Sequence, residues 1–278
     1  MDKVMQADRI ALYRRLGLGE AGLVGRPFTA RLDPPHPAAP AADGERVPRV
    51  LLHSLQGGVG SSTLAVGLAC QFARAGLQSR LLDLGRQNQV SFYFQEIEAL
   101  PNAEAAWLDG RRFGRRLGVM CPPAGREIDL DEQARQCMDL FGDPSDRSFL
   151  VADLPAAGHA RWPALLGQVD LAVLPLRPDL FALQAADRLL RAVEAAGAPA
   201  LFVLNGFDPG LRAHRSVRQA LAEMLGPRLL DPCLPHDTGL ADRHMACEPL
   251  EADLYRSPGF QALYARCALA AMRRLAHS

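Results

Sequence analysis

The stretch Gln56-Gly57-Gly58-Val59-Gly60-Ser61-Ser62-Thr63 decides how this chain is read. Before it stands an apolar run, Arg49-Val50-Leu51-Leu52-His53-Ser54-Leu55, with the pattern of a buried strand. After it comes Leu64-Ala65-Val66-Gly67-Leu68-Ala69-Cys70-Gln71-Phe72-Ala73, whose apolar, alanine-rich pattern predicts a helix. A glycine-rich turn between a strand and a helix brings successive backbone N–H groups close to an anion. The helix N-terminus adds partial positive charge at the same point. These residues therefore predict a phosphate-binding loop, with ATP as the expected ligand.

Outward from the loop the same alternation continues. Gly76 ends the first helix, and Gln78-Ser79-Arg80-Leu81-Leu82-Asp83-Leu84 reads as a second strand with an aspartate at its C-terminal end. That is the edge at which ligands bind in open α/β sheets. Residues 92–100 and 104–108 read as short helices, 117–120 as a strand and 130–141 as a helix. Phe149-Leu150-Val151-Ala152-Asp153-Leu154-Pro155 is a third buried strand ending in Asp, and Leu171-Ala172-Val173-Leu174-Pro175-Leu176 a further one. Residues 180–196 are predicted helical, with Gly197 as the stop. Ala200-Leu201-Phe202-Val203-Leu204-Asn205 is a strand ending in Asn, 217–225 a helix, 229–234 a short edge strand and 260–275 the last helix. Strands alternating with helices predict an α/β fold: a doubly wound, mainly parallel sheet flanked by helices on both faces.

Composition narrows the function. The 278 residues suffice for one large α/β domain or two small ones, and 49% hydrophobic residues allow a sizeable core. The formal net charge is zero, which gives no support to bulk electrostatic binding of nucleic acid. Lys3 is the sole lysine, so the loop has no lysine nearby in sequence. No run of eighteen apolar residues is present, and the N-terminus lacks an apolar signal core. Six cysteines without a CxxC pair fit reduced thiols and a cytoplasmic location.

Three parts are expected: an N-terminal segment over residues 1–32, a linker over 33–48 and the nucleotide-binding domain over 49–278. The first contains one short helical stretch at 8–16, which Asp8 can cap and in which Ile10, Tyr13 and Leu16 share a face. It is too short to be stable alone. It either docks on its own domain or serves as a recognition segment for a partner. The linker, Asp33-Pro34-Pro35-His36-Pro37-Ala38-Ala39-Pro40, is proline-rich and extended.

Over residues 49–276 the chain resembles the ParA/MinD branch of P-loop ATPases. Gln56 to Ser62 aligns without a gap to that family's Lys-Gly-Gly-x-Gly-Lys-Thr/Ser loop. Leu81-Leu82-Asp83-Leu84-Gly85-Arg86-Gln87-Asn88 is similar to its switch segment, Asp-x-Asp-Pro-Gln-Gly-Asn, and Asp153-Leu154-Pro155 to its Walker B strand end. The resemblance implies that Gly57, Gly58, Val59, Gly60, Ser61, Ser62 and Thr63 hold the phosphates. It implies that Asn205 meets the adenine and that Pro235 and His236 lie on the other side of the base. Ser62, Asp83 and Asp153 are the implied Mg2+ site.

Where the chain departs from the pattern, transition-state stabilisation suffers. Gln56 replaces the lysine that reaches across a dimer, and Ser61 replaces the lysine that neutralises the β- and γ-phosphates. Gly85 replaces the aspartate that positions the attacking water. Binding is thus expected to survive where hydrolysis is slow or absent, unless an arginine from elsewhere or from a partner substitutes. Non-lysine residues in the loop, and the segment Pro249-Leu250-Glu251-Ala252-Asp253-Leu254-Tyr255-Arg256-Ser257, resemble the BcsQ (YhjQ) branch of bacterial cellulose-synthesis operons. The short N-terminal helix is also similar to segments of other small proteins of such operons.

What that branch implies is an ATP-sandwiched homodimer supporting assembly, localisation or activity of a cellulose synthase complex. Its other subunits would be met through the N-terminal helix. Membrane association would be indirect, peripheral at the inner membrane or cell pole through partners. The alternatives are a ParA/MinD-type positioning ATPase that cycles by hydrolysis, and a scaffold that kept the fold and lost the nucleotide.

Other constellations read more simply as structure. Cys233 and His236 with His244 and Cys247 have a spacing open to zinc, but the first pair falls on the nucleotide loop and the second on a following helix. The last helix is expected to pack its apolar face on the sheet. No separate amphipathic helix follows it before Ser278, which counts against direct membrane binding. Arg111-Arg112 and Arg115-Arg116 read as a solvated face, with a partner or nucleic acid as the sharper alternative.

Overall fold

The structure is a computed structural model that describes residues 47–75, 78–85, 90, 97–99, 105–108, 117–120, 131–132, 148–156, 162–237, 239 and 257–276. The N-terminal segment, the linker, most of the predicted 130–141 helix, the arginine pairs, His244, Cys247 and the 249–256 stretch lie outside the described residues.

Strands β1 (Arg49–His53), β2 (Gln78–Asp83), β3 (Ile97–Ala99), β4 (Ala105–Leu108), β5 (Leu117–Met120), β6 (Ser148–Leu154), β7 (Leu171–Leu176) and β8 (Ala200–Leu204) form one eight-stranded sheet. Its order is β3-β4-β5-β2-β6-β1-β7-β8. From β5 across to β8 every pairing is parallel, and β3 and β4 extend the β5 edge antiparallel. The helices are α1 (Ser61–Arg74), α2 (Trp162–Leu165), α3 (Phe181–Ala196), α4 (Arg212–Leu225) and α5 (Pro258–Ala276).

Apart from β2, which buries Gln78, Ser79, Arg80 and Asp83, the central strands are mostly apolar runs because both faces of a parallel sheet are covered. Alternation along them sorts side chains into two cores. One face carries Val50, Leu52, Leu81, Phe149, Val151 and Val173 against α1 and α5, where Phe72 stacks on Phe149 at 3.7 Å between ring centroids. The other carries Leu51, Leu82, Leu150, Ala152, Leu174 and Phe202 against α2, α3 and α4. The doubly wound arrangement follows: β1 lies between β6 and β7, and the chain leaves β1 toward β2 on one side and returns through β6 to β7 on the other. The ligand crevice of such sheets opens at that point, above the C-terminal end of β1.

Helix ends follow local chemistry. Gly197 closes α3 in the left-handed region (φ 62°), while Gly197 N–H donates to Glu194 O and Ala198 N–H to Val193 O. Asp179 caps the other end, its Oδ1 accepting the N–H groups of Phe181 and Ala182 at 2.9 and 3.1 Å.

Three expectations are corrected. Residues 97–99 and 105–108 are strands, not helices. Their Glu, Ala and Leu content favours helix locally, but the open edge of β5 offers unpaired backbone groups that β4, and then β3, satisfy. The segment 229–234 is no regular strand: it meets β8 through one isolated bridge, Leu229 to Phe202, and a second bridge just after it joins Pro235 to Phe207, past the end of β8. Pro232 and Pro235 lack the N–H groups a continuous ladder needs. Helix α4 begins at Arg212, ahead of the predicted 217, because its first turns are polar and solvent-facing and give no apolar period.

Candidate nucleotide site

Four strand ends converge here. β1 delivers the glycine loop, β2 Asp83, β6 Asp153 and β8 Asn205. In the loop Gly58 and Gly60 adopt φ of 71° and 89°, which L side chains rarely take. Gly57 and Gly58 are exposed at its tip and Val59 is buried at 3%. Gly60 is the residue before α1, so the first N–H groups of that helix, which have no intrahelical partners, face outward from the loop.

The loop is braced from inside by hydroxyls. Ser61 Oγ donates to Ser54 Oγ at 3.1 Å, and Ser54 Oγ donates to the Gln56 carbonyl at 2.8 Å. Ser61 is therefore turned inward and only 8% exposed, so its contribution to a phosphate is its backbone N–H. Asn205 braces the loop from the side: its Nδ2 donates to the Val59 carbonyl at 2.8 Å, and its amide occupies the space a Cβ at Gly60 would need. The residue expected at the adenine thus also fixes the height of the phosphate loop. Its own backbone N–H donates to Leu176 O at 2.8 Å. Beyond it, Phe207 N–H donates to Leu234 O and His236 N–H to Phe207 O, which sets exposed Pro235 and His236 beside Gly206.

Asp83 and Asp153 are register partners on adjacent strands. Ser62 Oγ donates to Asp153 Oδ2 at 2.5 Å, while Asp153 Oδ1 is buried with no hydrogen-bond partner among the described residues. Burial pushes the Asp153 carboxyl up to about 7; the Ser62 hydroxyl pulls it down, and the charge of Asp83 pushes it further up. Asp83 is also raised by burial, against the pull of the Val90 and Gly85 N–H groups, which donate to it at 3.0 and 2.9 Å.

Two buried like charges beside a serine hydroxyl, one carrying an unused oxygen, are the donor set of a hard divalent cation. The residues fit Mg2+, with Ser62, Asp83 and Asp153 all present. At Gly85, an added Cβ would stand 2.8 Å from Asp83 Oδ1 and 3.3 Å from Pro155 Cγ. The position that lacks the water-positioning aspartate is one where this chain has no room for a side chain without a shift.

Every predicted site residue is thus brought to one end of the sheet. The sequence reading missed Ser54, whose signal was a polar residue closing an apolar strand just before the loop. No group of His, Cys, Asp and Glu able to hold a metal ion as a cluster occurs among the described residues, and Cys233 is a free thiol there. No helix among the described residues is long and apolar enough to cross a membrane.

Comparison with known proteins agrees with this geometry. Residues 50–250 match the CobQ/CobB/MinD/ParA nucleotide-binding domain. A protein of Guillardia theta named as a septum site-determining protein MinD is 24% identical over 235 residues, spanning 71% of this chain and 86% of that protein. Among solved structures, the MinC:MinD cell division complex of Aquifex aeolicus superposes with a TM-score of 0.61 at 17% identity, covering 84% of this chain and 97% of that one. A protein described as a plasmid partition protein from Borrelia burgdorferi B31, bound to AMPPNP, gives a TM-score of 0.60 at 15% identity, covering 82% and 100%.

Proposed function

Since the chain belongs to the CobQ/CobB/MinD/ParA nucleotide-binding family, we propose that it is an ATP- and Mg2+-binding switch, a nucleotide-gated homodimer with weak or absent hydrolysis. The observation that carries this reading is the Ser62–Asp153 pair at the head of the loop, with the second Asp153 oxygen buried and without a partner among the described residues. A buried carboxylate left so is costly unless a ligand completes it. Mg2+ would neutralise the phosphate charge when bound. Ser62 and Asp153 would orient it, Asp83 would hold its water shell, and the loop N–H groups would cradle the phosphates.

Slow turnover is inferred from Gln56, Ser61 and Gly85, which stand where the catalytic lysines and the water-positioning aspartate are expected. Tight binding without turnover suits a protein whose output is its dimeric state. ATP at a two-fold interface would stabilise the dimer by mass action.

The setting we propose is the cytoplasmic face of a bacterial cellulose synthase complex, reached through partner subunits. Its support is the lysine-free loop and the 249–257 segment. Co-purification of the full chain with synthase subunits, lost on removal of residues 1–32, tests it. Recovery of those subunits by neither form would sink it.

Calorimetric titration of ATP and ADP with Mg2+, with mass followed by light scattering, tests the biochemical core. Binding with dimerisation is expected in the wild type. Its absence with every nucleotide would leave a scaffold without a ligand. Similarity to MinD-named proteins favours a second reading, a positioning ATPase that cycles by hydrolysis. Brisk phosphate release, stimulated by DNA or lipid vesicles, would select it.

A further inference from the structure

The phosphate loop carries no cation of its own. Gln56 and Ser61 are neutral, Ser61 is turned toward Ser54, and the one lysine, Lys3, precedes the proline-rich linker. Loop N–H groups and a helix N-terminus offset only part of the charge of a triphosphate. A positive side chain at a neighbouring strand end would add the charge that favours ATP over ADP.

Strand β7 lies between β1 and β8 and ends at Leu176; the next residue is Arg177. The Leu176 carbonyl accepts the Asn205 N–H at 2.8 Å, and the Asn205 amide donates to the Val59 carbonyl at 2.8 Å. Arg177 therefore stands one residue from a two-bond chain that ends on the phosphate loop.

Its side chain is 56% exposed, and its nearest acidic neighbour is Asp179, with Nε 3.9 Å from Oδ2. That exposed pair is worth little, and the other Asp179 oxygen is occupied in capping α3. Three arginines farther along the chain are engaged elsewhere: Arg215 with the Pro209 and Gly210 carbonyls, Arg218 with Asp231, and Arg228 with Glu194. Among the described residues that directly follow the converging strands, Arg177 is the arginine available.

We propose that Arg177 is the cation of this phosphate loop, its guanidinium contacting the terminal phosphate of a nucleotide held by residues 57–63. A planar guanidinium on a phosphate makes paired, charge-assisted hydrogen bonds. Supplied from β7 instead of from the loop, it substitutes for the charge that Ser61 lacks. The inference rests on the nucleotide-binding reading above.

The test titrates ATP·Mg2+ and ADP·Mg2+ into wild type, Arg177→Ala, Arg177→Lys and Arg86→Ala, and melts each protein without nucleotide. Arg177→Ala is expected to lose about tenfold or more in ATP affinity, to lose less for ADP, and to show a shallower salt dependence. Its nucleotide-free Tm should match the wild type, because the side chain is exposed. Arg177→Lys should keep part of the ATP preference. Unchanged ATP affinity in Arg177→Ala overturns the proposal, and so does a loss confined to Arg86→Ala. Wild type binding neither nucleotide would instead overturn the nucleotide reading itself.

Discussion

At the N-terminal end of β1, Arg49 is buried at 5% exposure and surrounded by acceptors. Its backbone N–H donates to Asp170 Oδ2 at 2.7 Å, its carbonyl accepts the Asp170 N–H, and its guanidinium pairs with Asp131 and reaches the Gln168 carbonyl. At the opposite end of the same sheet, Asp83 and Asp153 are buried at 1% each, beside each other and with the same sign. One end pairs its buried charge with Asp131; at the other, no cation pairs with either carboxyl among the described residues. Burial alone therefore does not mark a site. What marks it is two buried carboxyls side by side with no cation between them among the described residues.

Several substitutions would break that contrast or sharpen it. The largest effect is expected from Gly60→Val. A β-branched residue at φ 89° is strained and collides with the Asn205 amide. Nucleotide binding should fall below calorimetric detection, and stability should drop by ~2–4 kcal/mol in denaturant melts.

Next comes a pair of opposite sign. Asp170→Ala should cost about 1–3 kcal/mol of stability, because it strips the acceptor from the buried backbone N–H of Arg49, and should leave ATP affinity unchanged. Asp153→Asn should leave the nucleotide-free protein as stable as wild type or more so at neutral pH, and should abolish the Mg2+ dependence of binding. If both variants behaved alike, the two ends would not differ as argued.

The pH dependence is smaller. Asp153 rises from an ordinary 3.8 to about 7 in the fold, so between those values the folded chain holds a proton the unfolded chain has lost. Stability of the nucleotide-free protein, measured with a chelator present, should decline from about pH 4 to pH 7 and level off above. Asp153→Asn should flatten that slope. The smallest effect is expected from Ser61→Ala, which removes the hydroxyl brace to Ser54 at about 1 kcal/mol and leaves the N–H that faces the phosphate.

The sequence made the central sheet legible because buried parallel strands are apolar without interruption. Residues 50–52, 117–120, 148–152, 171–176 and 200–204 stand out as such runs, whereas 78–83 carries only Leu81 and Leu82 between polar residues and is legible from its Leu81-Leu82-Asp83 end. It also exposed the site, since a glycine loop and two aspartates at strand ends are local patterns. It misread residues 97–99 and 105–108, whose strand state depends on an edge of β5 that no local pattern reveals. It also misread 229–234 as an edge strand, where Pro232 interrupts any ladder.

The α/β alternation, the phosphate loop and the absence of a loop lysine can be read from residue types alone. These are facts of residue type and spacing within a few positions, and local sterics and periodicity are enough to express them. Tertiary packing was needed to establish that Ser61 faces Ser54, that Asn205 holds Val59, that Asp153 Oδ1 has no partner among the described residues and that the end of β7 is tied through Asn205 to the loop. Each of these joins residues from separate strands or from opposite ends of a turn. Strand order and register bring them together, and they are set by the packing of two hydrophobic cores on either side of the sheet.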